Sequence, residues 1–479
     1  MADYRIWQGV WVPGTARFSD LHTMCHFENP PNPRRRVNHR PAWLVLLLVL
    51  VATLGCSRES PEKKATEEAK AYGALPGLKA TPDQALQDEL AHVTNDGGTP
   101  ELLAAGEIPD ESNVATGLIA LFSRVEPKRL ALIRAESDEL FPEGPFTLDP
   151  VQREKAIRFR ERYDDEQTGA RLALQRPECR FPIQYEAGPA EELVFLDIVW
   201  ICARLEAFCA AEALSAQDID KAVESLRYLL RLAECVAAEP HPIMRLEGAF
   251  LRTEALLVLQ AIVGSEKFER RHAQMVRGWL AEQLANWPDD ALAWIGDRAQ
   301  GMVLYEAIRG GRLKDFLTEE EREELKETGG ISTFEDAVLR DVNSDQLYYL
   351  TAMRNIIESC EHPYHTRVED FEALRRDLHQ RRNKSDFPLM AGRFLLLDVE
   401  KGHVIQARDR ANCEGFVLAL SLACGEKPPE LGNNPLTGRP YRVERDSKTI
   451  LVFDIGTGVE GDNPPWVVPD MSKQADGGN

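Results

Sequence analysis

The sequence has fewer basic than acidic residues, with 57 Lys and Arg against 78 Asp and Glu and a formal net charge of −21. A surface of this charge repels a phosphate polyanion, so we expect no nucleic acid partner. Hydrophobic residues make up 43% of the 479 positions, which is enough for a sizeable core and for two or three domains. The charge balance therefore indicates a well-solvated folded chain that does not bind nucleic acid.

The common catalytic motifs are also missing: Gly-x-Ser-x-Gly, His-Glu-x-x-His and the P-loop do not occur. Gly456, Gly458 and Gly461 do spell the nucleotide-like motif G-x-G-x-x-G. A dinucleotide site needs such glycines between a strand and the first turn of a helix, whose N–H groups hold the pyrophosphate. The stretch "DNPPWVVPD" follows instead, so we expect ordinary turn residues, no nucleotide and no cofactor.

Long apolar runs are scarce, and the run at 42–54, "AWLVLLLVLVATL", has 13 residues. That is short for a membrane span but typical of a signal peptide, and arginines between 34 and 40 supply the positive flank. The run ends at "TLGC", which resembles a bacterial lipobox and predicts lipidation of Cys56. An uncleaved anchor and ordinary signal cleavage remain alternatives. We expect an exported protein, held at the extracytoplasmic side of a membrane.

Cysteines are few, and their positions do not suggest a disulfide framework. Seven follow Cys56, an odd number, and five of them lie inside apolar helical patterns, where Cys usually acts as a small hydrophobe. Cys202 and Cys235 lie on two helices of one predicted hairpin, but their levels differ by about 10 Å at 1.5 Å per residue. A disulfide does not tolerate that separation, so we predict no bond between them.

Helical periodicity dominates the chain from about residue 111. In "SAQDIDKAVESLRYLLRLAECVA" (215–237), apolar residues follow the 3-4 spacing of one buried stripe, after Ser215 and Asp218 as a possible N-terminal cap. The fold class predicted is mainly α: an antiparallel array of helix hairpins with a small C-terminal β-hairpin module. The predicted divisions are a misannotated or disordered leader (1–36), a signal peptide (37–55), a polar tether (56–110), the helical array (111–386), an α+β module (387–465) and a disordered tail (466–479).

Two segments resemble a known family. The stretch "RPECRFPIQYEAGPAEELVFLDIVWICARL" (176–205) carries a Cys-x-Phe-Pro…Tyr-x-x-Gly-Pro pattern, and "NPLTGRPYRV…ILVFDIGTG" lies near the end. Together they resemble uncharacterised secreted proteins and lipoproteins of planctomycetes. The second segment is also similar to the last hairpin of type II major pseudopilins, although Asn434 replaces the usual Asp. The resemblance implies an architecture and a source, not an activity.

Four groups of polar residues are candidate sites. Cys360, His362 and His365 could ligate zinc, and Asp454 and Asp462 could ligate calcium, but neither spacing matches a defined site. Glu247 and Glu254 share one face of an apolar helix, where paired carboxylates can perform acid–base chemistry. Ion pairs with Arg245, Arg252 and Arg298 are the favoured interpretation for them, and the adjacent Asp297 and Arg298 are interpreted in the same way.

The sequence therefore does not show a group of residues that would be expected to form an active site. We therefore expect a non-enzymatic binding or scaffold lipoprotein, anchored to the membrane by its lipid or signal segment and able to contact a protein partner in the cell envelope. The alternative is a hydrolase or metal-dependent enzyme with a site in the helical array.

Overall fold

The computed structural model describes residues 82–472 apart from 105, 107, 142–145, 318–321, 324, 327–329, 385–387 and 454–465. The predicted leader, signal peptide and lipidated Cys56 lie outside the described residues, as do Asp454, Asp462 and the glycine motif at 456–461.

The chain is mainly α-helical, as predicted, with a small antiparallel sheet near its end. The helices of the first half are α1 (Gln84–Asn95), α2 (Pro100–Ala104), α3 (Val114–Leu121), α4 (Pro127–Leu140), α5 (Pro150–Arg162), α6 (Asp164–Ala173), α7 (Phe195–Ser215), α8 (Ile219–Ala237) and α9 (Pro242–Val263). A 3-10 helix at Tyr185–Ala190 precedes α7.

The second half continues with α10 (Arg270–Ala285), α11 (Asp290–Arg309), α12 (Ile331–Arg340), α13 (Val342–Ser359), α14 (Tyr364–Lys384) and α15 (Val399–Ala423). A short 3-10 helix at Leu313–Asp315 follows α11, and one π-helical turn at Ala391–Leu395 precedes α15. The strands are β1 (Val443–Arg445), β2 (Thr449–Val452) and β3 (Trp466–Pro469).

The hairpin of α7 and α8 forms as its sequence predicts. Asp218 caps α8, since its carboxylate accepts a hydrogen bond from the backbone N–H of Lys221 at 3.1 Å. Ser215 is not part of this cap, because it belongs to the last turn of α7 and donates to the carbonyl of Ala211. The apolar stripe of α8, from Ile219 to Ala233, is buried. A local cap and a 3-4 stripe thus define this hairpin.

The described residues form two hydrophobic cores. The first is built largely by α3 to α10 with the C-terminal sheet, and the second by α1 and the helices from α11 to α14. Helix α15 contributes to both, with Val399 and Ala407 in the second core and Phe416 and Leu420 in the first. The predicted boundary at 387, between array and C-terminal module, therefore does not separate two packing units.

The sheet has the order β1-β2-β3 with both pairs antiparallel. Its third strand corrects the prediction of a disordered tail from 466, which is wrong for Trp466–Pro469. Strand β3 pairs with β2, and the side-chain amide of Gln260 on α9 bonds both the carbonyl (2.8 Å) and the N–H (3.1 Å) of Val467. An amide group that offers one donor and one acceptor substitutes here for a neighbouring strand.

The predicted polar tether is wrong for the part of it that forms α1. Leu86 and Val93 of this helix are fully buried in the second core, and Asp83 caps its first turn. Within the described residues, no helix has both the length and the apolar composition that a membrane span requires.

Candidate functional site

Glu247 and Glu254 lie on one face of α9, as the sequence predicts, and both face α7. Glu247 accepts a hydrogen bond from the indole N–H of Trp200 at 2.7 Å, and Glu254 pairs with the guanidinium group of Arg204. The prediction that Arg245, Arg252 and Arg298 are their partners is wrong. Arg245 and Arg252 point to another face of α9, Arg298 lies on α11, and the facing helix α7 supplies the donors instead.

The two glutamates belong to a larger group of charges between α4, α7 and α9, which we call the α4–α7–α9 cluster. Its members are Arg134, Asp138, Asp197, Arg204, Glu247 and Glu254. Arg134 lies 3.4 Å from Asp138 and 3.3 Å from Asp197, and Arg204 lies 3.0 Å from Asp138. Four carboxyl groups thus surround two guanidinium groups, which leaves an excess of negative charge when all four are ionised.

Burial sets the protonation of this cluster. It raises the pKa of Glu254 to about 7, against the opposing effect of the Arg204 guanidinium group. Burial also raises the pKa of Glu247, although Arg134 and the Trp200 hydrogen bond oppose it. The side chains of Glu254 and Asp138 are 17% and 30% exposed, so the cluster reaches solvent at this end. A carboxyl group with a pKa near neutrality can give or take a proton at physiological pH.

The sequence contains one signal for this cluster besides the glutamate pair. Asp197 and Arg204 lie seven residues apart on the largely apolar helix α7, the same spacing as Glu247 and Glu254 on α9. Because α7, α8 and α9 alternate in direction, α7 and α9 run parallel, and equal spacings can face each other over two turns. The equal spacing is thus consistent with the Arg204–Glu254 pair, whereas Asp197 pairs with Arg134 of α4.

Arg245 and Arg252 belong to a different group, which joins α9 to α11 and α15. Arg252 pairs with Asp409, and both side chains are almost fully buried, while Arg245 lies 3.3 Å from Asp290. Both guanidinium groups also lie over the ring of Trp287, at 4.6 and 5.3 Å from its centroid. This group fixes the first core against helices that contribute to the second.

The predicted zinc ligands are not gathered around one point. The Cys360 thiol donates to the carbonyl of Ile356, His362 is exposed, and the His365 ring contacts the carbonyl of Pro435. Burial raises the pKa of the Cys360 thiol to about 12, which keeps it protonated. In the part of the chain that the structure describes, no three His, Cys, Asp or Glu side chains are placed to share a metal ion.

Arg367, which belongs to no motif in the sequence, organises this loop instead. Its guanidinium group donates to the carbonyls of Cys360 and His362 at the end of α13 and lies 3.0 Å from Asp290. It also contacts the Nδ1 atom of His403 at 2.9 Å, and the ring of His403 stacks on Trp294 with centroids 4.3 Å apart. The loop residues are therefore held by a buried cation.

Asp297 and Arg298 do not form the expected pair of ion bridges. Arg298 lies 3.7 Å from Asp96, but neither carboxylate oxygen of Asp297 has a hydrogen-bond partner among the described residues. Asp297 is 2% exposed, and burial raises its pKa well above the ordinary value near 3.8. Tyr349 donates to the backbone carbonyl of Asp297, not to its carboxyl group. Among the residues that the structure describes, the carboxyl group of Asp297 is thus buried without a hydrogen-bond partner.

A buried histidine lies on the neighbouring turn between α8 and α9. His241 is 1% exposed, contacts the amide of Gln300 at 2.6 Å, and has its pKa lowered to about 3 by burial. Gly296 of α11 packs directly on the carbonyl of Pro240, and a Cβ atom there would overlap it. This close approach holds the first turns of α11 against the α8–α9 turn.

Comparison of the chain with protein-family models, with curated proteins and with solved structures finds no match. Any function of the chain has to be inferred from its sequence features and from the geometry above.

Proposed function

We propose that this protein is an exported lipoprotein, anchored through Cys56 at the extracytoplasmic side of a membrane, whose helical array acts as a non-enzymatic scaffold or binding body. The proposal that the protein is not an enzyme rests on one observation about Glu247 and Glu254, the strongest catalytic candidates of the sequence: both side chains are already bound within the fold. Each is bound by a side chain of α7, at an interface of three packed helices. Carboxylates held this way orient helices rather than a substrate.

The anchoring part rests on the apolar run at 42–54 and on the small residue before Cys56. Three acyl chains on one cysteine hold a protein at a membrane far more firmly than a single myristoyl group. The packed array, with charged groups that connect its two cores, supports a role as a rigid body close to the membrane surface. A protein partner in the cell envelope is the kind of ligand that fits this role.

Metabolic labelling tests the anchor. The full chain is expressed in a Gram-negative bacterium with radiolabelled palmitate, and membranes are separated from soluble material. We expect label on the wild type, none on Cys56→Ala, and retained label on Cys25→Ala, the matched control upstream of the apolar run. Equal labelling of Cys56→Ala and the wild type would refute lipidation at Cys56.

A second candidate, an acid–base hydrolase, is favoured by one observation: Glu254 has a pKa of about 7 and reaches solvent beside Asp138. A panel of ester, peptide, phosphate and glycoside substrates distinguishes the two proposals. The scaffold proposal predicts that Glu254→Gln and the wild type give equal rates on every substrate. A hydrolysis that disappears in Glu254→Gln but not in Asp165→Asn, with unchanged circular dichroism, would favour the enzyme.

A further inference from the structure

Three residues near the end of α8 form a stripe on one face. Arg231, Cys235 and Glu239 are each four positions apart, and Glu239 lies just beyond the C-cap residue Ala238. Four residues of helix advance by about 6 Å, so these side chains follow one another at roughly that interval. Cys235 is the middle of the three and is 2% exposed.

A non-helical segment, residues 176–183, runs along the same face. At one end the guanidinium group of Arg231 donates to the carbonyl of Pro177 at 3.2 Å. At the other end the backbone N–H of Phe181 donates to the Glu239 carboxylate at 2.7 Å. Two residues of extended chain cover about 6.6 Å, nearly the same interval as four residues of helix. Cys179, halfway between the two contacts, therefore lies at the level of Cys235.

Residues 176–183 are also held on the side that faces away from α8. The side chain of Asn113 accepts from the N–H of Arg180 at 2.9 Å and donates to the carbonyl of the same residue at 2.9 Å. The N–H of Val114 donates to the carbonyl of Glu178 at 2.8 Å. The backbone on both sides of Cys179 is thus fixed, which fixes the position of the thiol opposite α8.

We propose that Cys179 and Cys235 are the two halves of a disulfide bond that links residues 176–183 covalently to α8. The neighbouring Cys235 thiol raises the pKa of the Cys179 thiol, and burial raises it further. A disulfide requires a close approach of the two Cβ atoms, which side chains at the same level on facing segments can make.

The reaction requires a disulfide donor, such as oxidised glutathione or a protein disulfide oxidoreductase. Cys179 is the more exposed thiol and the one that the donor can reach. After it loses its proton, it attacks the donor disulfide, forms a mixed disulfide and releases one donor thiol. Cys235 then attacks the Cys179 sulfur and releases the second donor thiol. Two protons leave the protein, and its two electrons reduce the donor disulfide to two thiols.

The test uses the purified full chain, oxidised by glutathione disulfide in native buffer, and then mapped as peptides without reduction. We expect a Cys179–Cys235 linked peptide and two fewer alkylated thiols than in the reduced protein. Cys202→Ser, which removes another buried thiol from α7, should form the same linked peptide. Cys235→Ser should instead keep a glutathione adduct on Cys179.

Two results would overturn the proposal. One is a native protein that keeps both thiols free after prolonged oxidation, and the other is linked peptides that join Cys179 to several cysteines with equal yield. Should the serine variants fail to fold, peptide mapping of the wild type alone still decides the matter. Since the oxidant is added to purified protein, the outcome does not depend on whether the chain is exported.

Discussion

The buried carboxyl group of Asp297 predicts how the stability of the protein changes with pH. Its oxygens have no hydrogen-bond partner among the described residues, and burial is the cause of its raised pKa. Above the ordinary pKa near 3.8, the unfolded chain releases this proton while the native chain keeps it. Raising the pH then stabilises the unfolded chain, so the free energy of unfolding falls.

The magnitude follows from the linkage relation. While the native carboxyl group stays protonated and the unfolded one does not, each pH unit lowers the free energy of unfolding by about 1.4 kcal/mol. Asp297→Asn removes the ionisation and keeps the shape of the side chain. We therefore expect the variant to gain about 1.4 kcal/mol relative to the wild type between pH 4.5 and pH 5.5.

Urea unfolding followed by tryptophan fluorescence measures this difference at each pH. Other buried acids, such as Glu254, also change stability with pH, but they are the same in both proteins and cancel in the comparison. Asp165→Asn, which removes an exposed carboxylate, is the control and should stay parallel to the wild type. A difference between Asp297→Asn and the wild type that does not change with pH means that Asp297 is already ionised in the native protein, and the reasoning fails.

Two further predictions concern packing. Arg252→Met leaves the buried carboxylate of Asp409 without its partner and should lower the free energy of unfolding by about 3–5 kcal/mol in urea titrations. The double variant Arg252→Met/Asp409→Leu should recover most of the lost stability. An equal loss of stability in both variants would contradict the pairing. Gly296→Ala places a Cβ atom against the α8–α9 turn and should lower the melting temperature. Gly278→Ala is the control, because it lies on an open face of α10 with no atom within 4 Å of the new carbon. It should stabilise the protein by about 1 kcal/mol. Equal effects of the two substitutions would refute the close packing at Gly296.

The sequence predicts the elements that depend on local order. The α7–α8 hairpin follows from the 3-4 stripe of α8 and from the Asp218 cap, both of which are set by neighbours within one or two turns. The predicted C-terminal β-hairpin has a similar local cause, because the Asp446 carboxylate between β1 and β2 accepts from the N–H groups of Lys448 and Thr449. Such patterns predict the folded structure well, because the apolar residues that mark one face of the helix or strand are also the residues that tertiary packing buries.

The partners of the buried charges could not be predicted in this way. Arg252 bonds Asp409 from 157 positions away, and no local pattern connects the two. Glu254 meets Arg204 because α7 and α9 pack at one particular register, which is a property of the assembled helices. Strand β3 is not predictable for a related reason, since the Gln260 side chain of a distant helix satisfies its backbone.

The position of Cys179 opposite Cys235 does not follow from helix geometry, which relates only cysteines within one helix hairpin. The segment that carries Cys179 is not helical, and its level along α8 is set by Arg231 and Glu239 rather than by a turn. The Cys-x-Phe-Pro pattern nevertheless distinguishes this stretch of the sequence. Its Phe181 N–H does bind the end of α8, so the pattern corresponds to a docking segment.

The dual role of α15 has a consequence for synthesis and folding. The first core needs Phe416 and Leu420, which leave the ribosome long after α3 to α10 have emerged. Until then the faces of α9 and α10 that receive α15 stay open to solvent and can attract other apolar chains. Non-local contacts of this kind slow folding, because the entropy of closing a long loop is lost before the contacts form. A nascent chain of this protein therefore completes its first core only when nearly all of it has been made.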